Sequence, residues 1–392
     1  MKRVSPRPWI ILAALSLARM AFGYQFQTVA TLATDLMRRF GLSYAQLGSL
    51  IGAYMLMGVF VALPLGLLGR RFGDRWVMGL GLALMTAGAC VGAWSDGPSG
   101  IALGRTLAGV GAVAMTVLQG KIIADWFAGP RFMLGIAISV CAYPIGMGMA
   151  QIVLPPVLAH AGLHAAFLTD AAAPAVSLVL FLLAFREPAH AAAIPRRFSF
   201  PGRRECLLLT VAGGVWMTYT ASFGAYASYL PSSLAFRGYG LGITAIVMTL
   251  IAWGNVPGTL AGGNLAARFG GFRIFLTGTL ALTIGMAGSA LTGVPVAWAV
   301  LVGVGGSIQP GVIMAVGTLS VRPDNRAVGM GLFYTIYYAG GAAVPAVCGI
   351  AADYAGRPSG GLLAAAAISA LAIPLFVLHR ALTPHARMLV RA

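Results

Sequence analysis

Gly66-Leu67-Leu68-Gly69-Arg70-Arg71-Phe72-Gly73 and Gly263-Asn264-Leu265-Ala266-Ala267-Arg268-Phe269-Gly270 are two copies of one pattern, 197 residues apart in a chain of 392. Each copy closes a long apolar stretch with arginine, phenylalanine and glycine. An offset of half the chain marks an internal duplication. The longest polar stretch, Arg186 to Glu205, lies between the copies. The sequence therefore divides into 1–186 and 206–392, joined by a linker over 187–205.

Composition sets the medium. Hydrophobic residues make up 59% of the chain and charged residues 9%, with a mean hydropathy of +0.87; soluble domains carry about 25% charged residues. Nine acidic side chains cannot give a chain of this size a water-compatible surface. That excludes a soluble enzyme and a disordered chain. Crossing the hydrocarbon core takes about 20 apolar residues as a helix. Twelve such stretches begin near Trp9, Leu47, Trp76, Ile101, Phe132, Ala165, Leu207, Thr244, Ile274, Pro295, Ala327 and Gly361. None shows the ten-residue alternation of a membrane barrel. The expectation is an all-α membrane protein with twelve transmembrane helices in two six-helix, pseudo-symmetric bundles. The basic, apolar start over residues 1–23 resembles a secretory signal, but with so many apolar stretches after it we read it as a first helix that is retained.

Basic residues set the orientation. With the N-terminus placed in the cytoplasm, nineteen Lys and Arg fall in inner connections and four (Arg38, Arg39, Arg237, Arg357) in outer ones. The positive-inside rule then puts both termini in the cytoplasm, and the chain is expected in the inner membrane. The net charge of +17 is spread in short runs rather than on one face, so no nucleic-acid partner is expected. Four well-separated cysteines and the pair His160/His164 lack metal-ligand companions, and no nucleophile–base pair is present. Neither a cofactor nor a metal is expected, nor an enzyme.

Twelve helices, a six-plus-six repeat and the repeated loop resemble the major facilitator superfamily of secondary transporters. The loop is similar to that family's G-x-L-A-D-R-x-G-R-R motif, with Arg70 and Ala267 where the acid belongs. The resemblance implies gating roles for Arg70, Arg71, Asp74, Arg105 and Arg268. Without the motif's acid, either Asp74 takes its place or the cytoplasmic latch is weak. Arg105-Thr-Leu-Ala-Gly109-Val-Gly111 resembles the fourth-helix motif, and Tyr143-Pro144-Ile-Gly146-Met-Gly148 the fifth-helix Pro/Gly motif. Arg19-Met-Ala-Phe-Gly23 and Lys121-Ile-Ile-Ala-Asp125-Trp126-Phe127 resemble the branch of cyanate-type and nitrate/nitrite-type porters.

Three cations lie within apolar stretches: Arg19, Arg105 and Lys121. Arg19 falls near the middle of the first helix. A guanidinium there costs about 2.5–3.5 kcal/mol and cannot reach either surface, so it faces protein or a watery cavity. No acid falls at comparable depth, which argues against a salt bridge for Arg19 and against a built-in proton carrier. A planar fork suits oxyanions, so Arg19 is read as an anion clamp, the competing role being a structural arginine bonded to carbonyls. Lys121, one of two lysines, is a candidate to share the anion; Arg105, nearer its helix end, is assigned packing and gating. Polar candidates beside Arg19 are Gln27 and, on a different face of the helix, Gln25. Further candidates are Tyr54, Asn255 and Gln309, with the aromatic stripes Trp216, Tyr219, Phe223, Tyr226 and Tyr334, Tyr337, Tyr338. Packing accounts equally well for about half of the stripe positions. The offset of 197 maps Arg19 onto Trp216, so the two halves carry unlike chemistry.

The sequence is thus read as a monomeric secondary transporter in a lipid bilayer that moves a small anion by alternating access. The alternatives are an efflux antiporter for neutral or cationic compounds, which ordinarily needs buried acids, and a non-transporting membrane sensor, which calls for an appended soluble domain.

Overall fold

A backbone crossing hydrocarbon has to satisfy its own polar groups, which leaves these long apolar stretches one solution, the helix. The structure, a computed structural model, describes residues 7–127, 130–185, 201–322 and 325–383. Its elements are α1 (Arg7–Thr31), α2 (Ala33–Phe40), α3 (Tyr44–Leu56), α4 (Gly58–Phe72), α5 (Asp74–Ala93), α6 (Pro98–Trp126) and α7 (Pro130–Ala184). They are followed by α8 (Arg203–Phe236), α9 (Leu241–Phe269), α10 (Gly271–Leu291) and α11 (Pro295–Val300). After a π turn (Leu301–Gly305) and a 3₁₀ turn (Gly306–Ile308) come α12 (Pro310–Leu319), α13 (Arg326–Ala355), α14 (Ser359–Ala370) and α15 (Ala372–Leu382). There is no strand among the described residues.

Among the described residues, eleven helical stretches are long and apolar enough to cross a membrane. One of them, Ile138–Ala184, has 47 residues, about twice what a crossing needs. It breaks at Gly162, whose φ of 78° and ψ of −179° only glycine adopts at low cost. Counting its two parts separately gives the twelve crossings expected. The helices turn bulky apolar side chains outward: Leu183, Leu241 and Leu103 are 79%, 75% and 63% exposed. Trp76 and Trp94 mark the two ends of α5 and are both largely exposed. They lie 18 residues apart, about 27 Å along a helix, close to the thickness of a hydrocarbon core with an aromatic at each interface.

The two copies of the loop share one backbone solution. Gly73 (φ 84°, ψ 149°) precedes α5, and Gly270 (φ 88°, ψ 136°) precedes α10. Both sit in the left-handed region, so glycine is the residue each tight turn requires. The side chains of Arg70 and Arg71 lie outside the described residues. Arg268 is exposed, its guanidinium 5.9 Å from the Phe269 ring centroid.

Two compact units form. The first combines Met1–Thr28 with Phe60–Arg196, and the second Val29–Val59 with Arg197–Ala392. Most of the linker lies outside the described residues, and the units differ from a simple cut there because residues 29–59 join the C-terminal half. Small residues explain the grouping. A Cβ on Gly48 would strike the Pro345 carbonyl, one on Gly52 the Ala342 carbonyl and one on Gly58 the Tyr338 ring. At Gly48 and Gly52 the missing Cβ lets α3 approach α13 to backbone contact, and at Gly58 it lets the start of α4 lie against the Tyr338 ring of α13. At the start of α3 the Asp353 carboxylate accepts from Tyr44 N and Ala45 N, both at 2.9 Å, capping the positive end of the helix. The buried Tyr229 hydroxyl lies 2.8 and 2.9 Å from the Tyr44 and Pro345 carbonyls, which share its one proton.

Candidate functional site

Arg19 is the middle residue of α1. What surrounds it follows from one close crossing. Gly23 lies so near the Tyr143 carbonyl, and Gly146 so near the Met20 carbonyl, that neither position has room for a methyl group. The crossing of α1 over the first part of α7 brings the Tyr143 ring beside the guanidinium. Arg19 Cζ lies 5.3 Å from the Phe22 ring centroid and 5.7 Å from that of Tyr143, within the range of a cation–π contact. Nη1 donates to Thr116 Oγ1 of α6 at 3.1 Å. Nε is enclosed and has no acceptor among the described residues. Among them no carboxylate pairs with Arg19, and the ion pairs are Arg38–Asp35 and Lys121–Asp74.

The other two interior cations are committed elsewhere. Arg105, 6% exposed, donates from Nη1 to the Gln25 carbonyl at 2.9 Å and from Nη2 to the Phe26 carbonyl at 3.4 Å. It also acts electrostatically on Asp170. Lys121 Nζ lies 2.6 Å from Asp74 Oδ2, tying α6 to the start of α5. Asp74 is buried, and its Oδ1 has no partner among the described residues.

Asp170 adds a buried acid that was not among the candidate residues: expected was no acid at the depth of Arg19, and this carboxylate, off that level, is 5% exposed in the second part of α7. Its Oδ1 accepts from the Thr28 hydroxyl at 2.6 Å. Gln25 Nε2 donates to the Asp170 carbonyl at 2.9 Å and to the Met85 carbonyl at 3.1 Å, so this side chain joins α1 to α5 and α7. Gln27 is wholly buried. Thr28 lies nine residues beyond Arg19, about 13 Å along α1, so Asp170 belongs to the same interior but not to the same level.

The second unit holds aromatics and neutral hydroxyls instead. Half-buried Trp216 stacks on Phe333 at 6.2 Å and lies 5.7 Å from Tyr219; its Nε1 is enclosed without an acceptor among the described residues. Tyr334 meets Phe333 edge-on at 5.7 Å and Tyr337 at 6.2 Å. The Tyr219 hydroxyl bonds to Asn255, whose Oδ1 also accepts from Thr259 at 3.2 Å. Tyr226 is bonded to Ser289 at 2.8 Å. Gln309, at the end of the irregular turns, accepts from Thr279 at 2.6 Å and donates to the Gly306 carbonyl at 3.1 Å. Tyr54 and Tyr338 are both 1% exposed. The structure thus gathers Trp216, Tyr219, Asn255 and Tyr334 into one region. It sets Tyr226, Gln309, Tyr54 and Tyr338 in packed interior. Thr116, Tyr143, Phe22 and Phe333 complete these surroundings without having been singled out from sequence. For Tyr143 a signal existed, because its own Pro/Gly stretch supplies the close crossing.

Known proteins share this architecture. A stretch of 143 residues, 36% of the chain, is 35% identical to the inner membrane transport protein YajR of Escherichia coli (strain K12), covering 31% of that protein. A stretch of 126 residues is 25% identical to Protein spinster of Drosophila melanogaster, covering 21% of it. The chain thus spans about a third or less of the curated relatives it matches. Among solved structures, a bacterial homolog of the human lysosomal transporter Spinster, inward-facing and unoccupied, superposes with a TM-score of 0.73 at 15% identity over 97% of this chain and 98% of its own. A mutant form of the nucleoside transporter NupG gives 0.74 at 14% identity, covering 95% and 99%. The inward-open xylose transporter XylE from E. coli gives 0.72 at 14% identity, covering 94% and 96%. The sequence pattern of the Major Facilitator Superfamily matches residues 15–345. With its helices, repeat and pattern in agreement, the chain belongs to the Major Facilitator Superfamily, as a multi-pass membrane protein of the transporter type.

Proposed function

We propose that this protein is a secondary transporter that moves a small anion across the inner membrane by alternating access, with both termini cytoplasmic and Arg19 supplying the positive charge. One observation carries the reading. Of the three interior cations, Arg19 alone has neither a carboxylate nor a pair of carbonyls, and its Nε is enclosed with no acceptor. A structural arginine would have its donors filled, because a buried unmet donor costs about 1–3 kcal/mol. The resemblance of Arg19–Gly23 and Lys121–Phe127 to the cyanate- and nitrate-type branch supports the same reading. The similar structures, a nucleoside transporter, a xylose transporter and a homolog of a lysosomal one, illustrate that this fold does not choose a substrate.

A second reading has its own support. The cluster of Trp216, Tyr219, Phe333 and Tyr334 suits neutral or cationic ring compounds. A thermal-shift panel separates the two. An anion at 100 times its dissociation constant stabilises by about 2.7 kcal/mol, and Arg19→Gln, weakening binding about 10- to 100-fold, is expected to cut that to about 0.4–1.4 kcal/mol without lowering the melting temperature of the unliganded protein. Lipophilic cations that shift the melt where no anion does would replace the first reading with the second. A lower melting temperature with unchanged anion affinity would make Arg19 scaffold. Orientation is checked separately: reporters fused within 196–204 are expected on the cytoplasmic side and those near Gly97 or Gly238 on the other.

A further inference from the structure

We propose that the second unit holds an anionic phospholipid at one membrane interface, its phosphate between Arg273 of α10 and Arg380 of α15 and an acyl chain along α10. The proposal is independent of the anion reading above.

One end of this unit is strongly basic, and contacts between helix ends define it. Glu205 at the start of α8 accepts from Arg322 N and Asn325 Nδ2, both at 2.8 Å. Arg204 donates to the Leu382 carbonyl at 3.4 Å, and Arg380 lies over the Phe272 ring of α10. Arg203, Arg204, Arg268, Arg273, Arg322 and Arg380 are all exposed there. Among the described residues one acid stands against them, Glu205, and its oxygens are taken up by Gly202 N, Arg322 N and Asn325. Topology alone gathers arginine at one end of a membrane protein. The surface below therefore decides which arginine meets a lipid.

Two of the six stand at the head of a lipid-facing surface. On α10, Arg273, Leu280, Ile284 and Leu291 fall on one stripe, and all four are exposed. Leu280 lies about 10 Å and Ile284 about 16 Å along the axis from Arg273, and half of the hydrocarbon core is about 15 Å. The stripe below Arg273 thus spans one leaflet. On α15, Val377 is exposed one turn before Arg380. Phe376 stacks on Phe275 at 4.0 Å and joins the two helices, with Phe272 at 5.8 Å from Phe376. At the head of this seam Arg380 Cζ lies 4.3 Å from the Phe272 ring centroid, and Arg273 follows Phe272 in the chain.

Chemistry selects the headgroup. The Phe272 ring occupies one side of the Arg380 guanidinium and restricts it, so less freedom is lost when an acceptor arrives. Neither Arg273 nor Arg380 makes an ion pair or donates a side-chain hydrogen bond among the described residues. Arg237, at the other end of the unit, spends its donors on the Thr292 and Ala290 carbonyls. Guanidinium groups match phosphate oxygens, and basic sites between helices at an interface take acidic headgroups. A zwitterionic headgroup brings its own cation to the same place, where the arginines repel it.

The test is native mass spectrometry of the whole protein in neutral detergent, titrated with phosphatidylglycerol and with phosphatidylcholine of the same acyl chains. Phosphatidylglycerol is expected to bind at least tenfold more tightly. An arginine at an anionic interface contributes about fivefold. Arg273→Gln or Arg380→Gln should therefore weaken phosphatidylglycerol about fivefold and the double variant about 25-fold, with phosphatidylcholine unchanged. Arg357→Gln removes the same charge at the opposite end and should leave binding as it is; melting temperatures confirm that each variant is folded. Equal binding of the two lipids, or a preference that survives in the double variant, would overturn the site. An equal loss in Arg357→Gln would reduce the effect to net charge and overturn it as well. Displacement of the lipid by inorganic phosphate at equal concentration would overturn the acyl-chain part. A protein dimer that retains no lipid and is lost in the double variant would give this face to a second copy instead.

Discussion

Arg19 of α1 and Trp216 of α8 stand at the same step of the two halves, 197 residues apart, and each keeps one enclosed N–H without an acceptor. Their surroundings differ in kind. Arg19 lies among Thr116, Phe22 and Tyr143, in a unit whose interior also holds Arg105, Asp170 and Asp74, the last paired with the partly exposed Lys121. Trp216 lies on Phe333 and Tyr219, in a unit whose interior pairs are neutral: Tyr226 with Ser289, Thr279 with Gln309, Tyr219 with Asn255. The duplicated scaffold survives in both, down to the left-handed glycines Gly73 and Gly270. Duplication thus fixes where the backbone turns and leaves interior chemistry free to diverge. The first unit carries charge, and within it the charges split again, into those committed to structure and the one that is not.

The largest effect should come from disturbing a committed charge. Arg105→Gln leaves the Asp170 carboxylate buried without its nearby cation and frees the Gln25 and Phe26 carbonyls. Removing one partner from a buried charged arrangement costs about 3–5 kcal/mol. We expect a large drop in unfolding free energy, partly recovered when Asp170→Asn is added. A loss below about 1 kcal/mol would show that Arg105 is as uncommitted as Arg19 and erase the distinction.

A smaller effect tests how Arg19 acquires its neighbours. Gly146→Ala places a methyl group against the Met20 carbonyl, so α1 and α7 have to part and the Tyr143 ring moves away from Arg19. Overpacking of this kind costs about 1–3 kcal/mol. Anion affinity should fall with stability. The same substitution at Gly270, where only the φ of 88° is strained and a Cβ meets nothing, should cost about 1–2 kcal/mol and leave affinity alone. Equal affinity losses in the two variants would mean that the crossing does not build the site.

Much of the fold could be read from the sequence because hydrophobic length in a membrane leaves few choices. The twelve crossings, the repeat and its glycine-capped turns all follow from local composition. Arg19 was legible for the same reason, since depth alone makes a guanidinium exceptional. What escaped depends on helix pairing and register. Gly48 and Gly52 show that α3 packs closely on something, but not that the partner is α13. Asp170 lies only a few residues into its apolar stretch and so resembles an interfacial acid until Thr28 is found beside it. The partner of Lys121 is 47 residues away, and the sequence offered Asp74 a different role. The π turn over Leu301–Gly305 and the 3₁₀ turn over Gly306–Ile308 lie within a continuous apolar stretch whose composition does not set them apart.

The smallest effect bears most directly on the opening comparison. Trp216→Phe keeps an aromatic ring to stack on Phe333 and removes the N–H that lacks an acceptor. If that N–H serves the ligand, a neutral hydrogen bond worth about 0.5–1.5 kcal/mol is lost, and affinity should fall about two- to tenfold. The unliganded protein should hold its melting temperature, because an unmet donor disappears along with part of the indole's contact area. Arg19→Gln, which removes a charge-assisted fork, should cost about ten times more in affinity. Measuring both variants against the same anion places the two halves on one scale. A loss from Trp216→Phe equal to that from Arg19→Gln would mean that the halves contribute alike despite their unlike chemistry. An unchanged affinity with a raised melting temperature would assign the indole to packing and leave recognition to the charged unit.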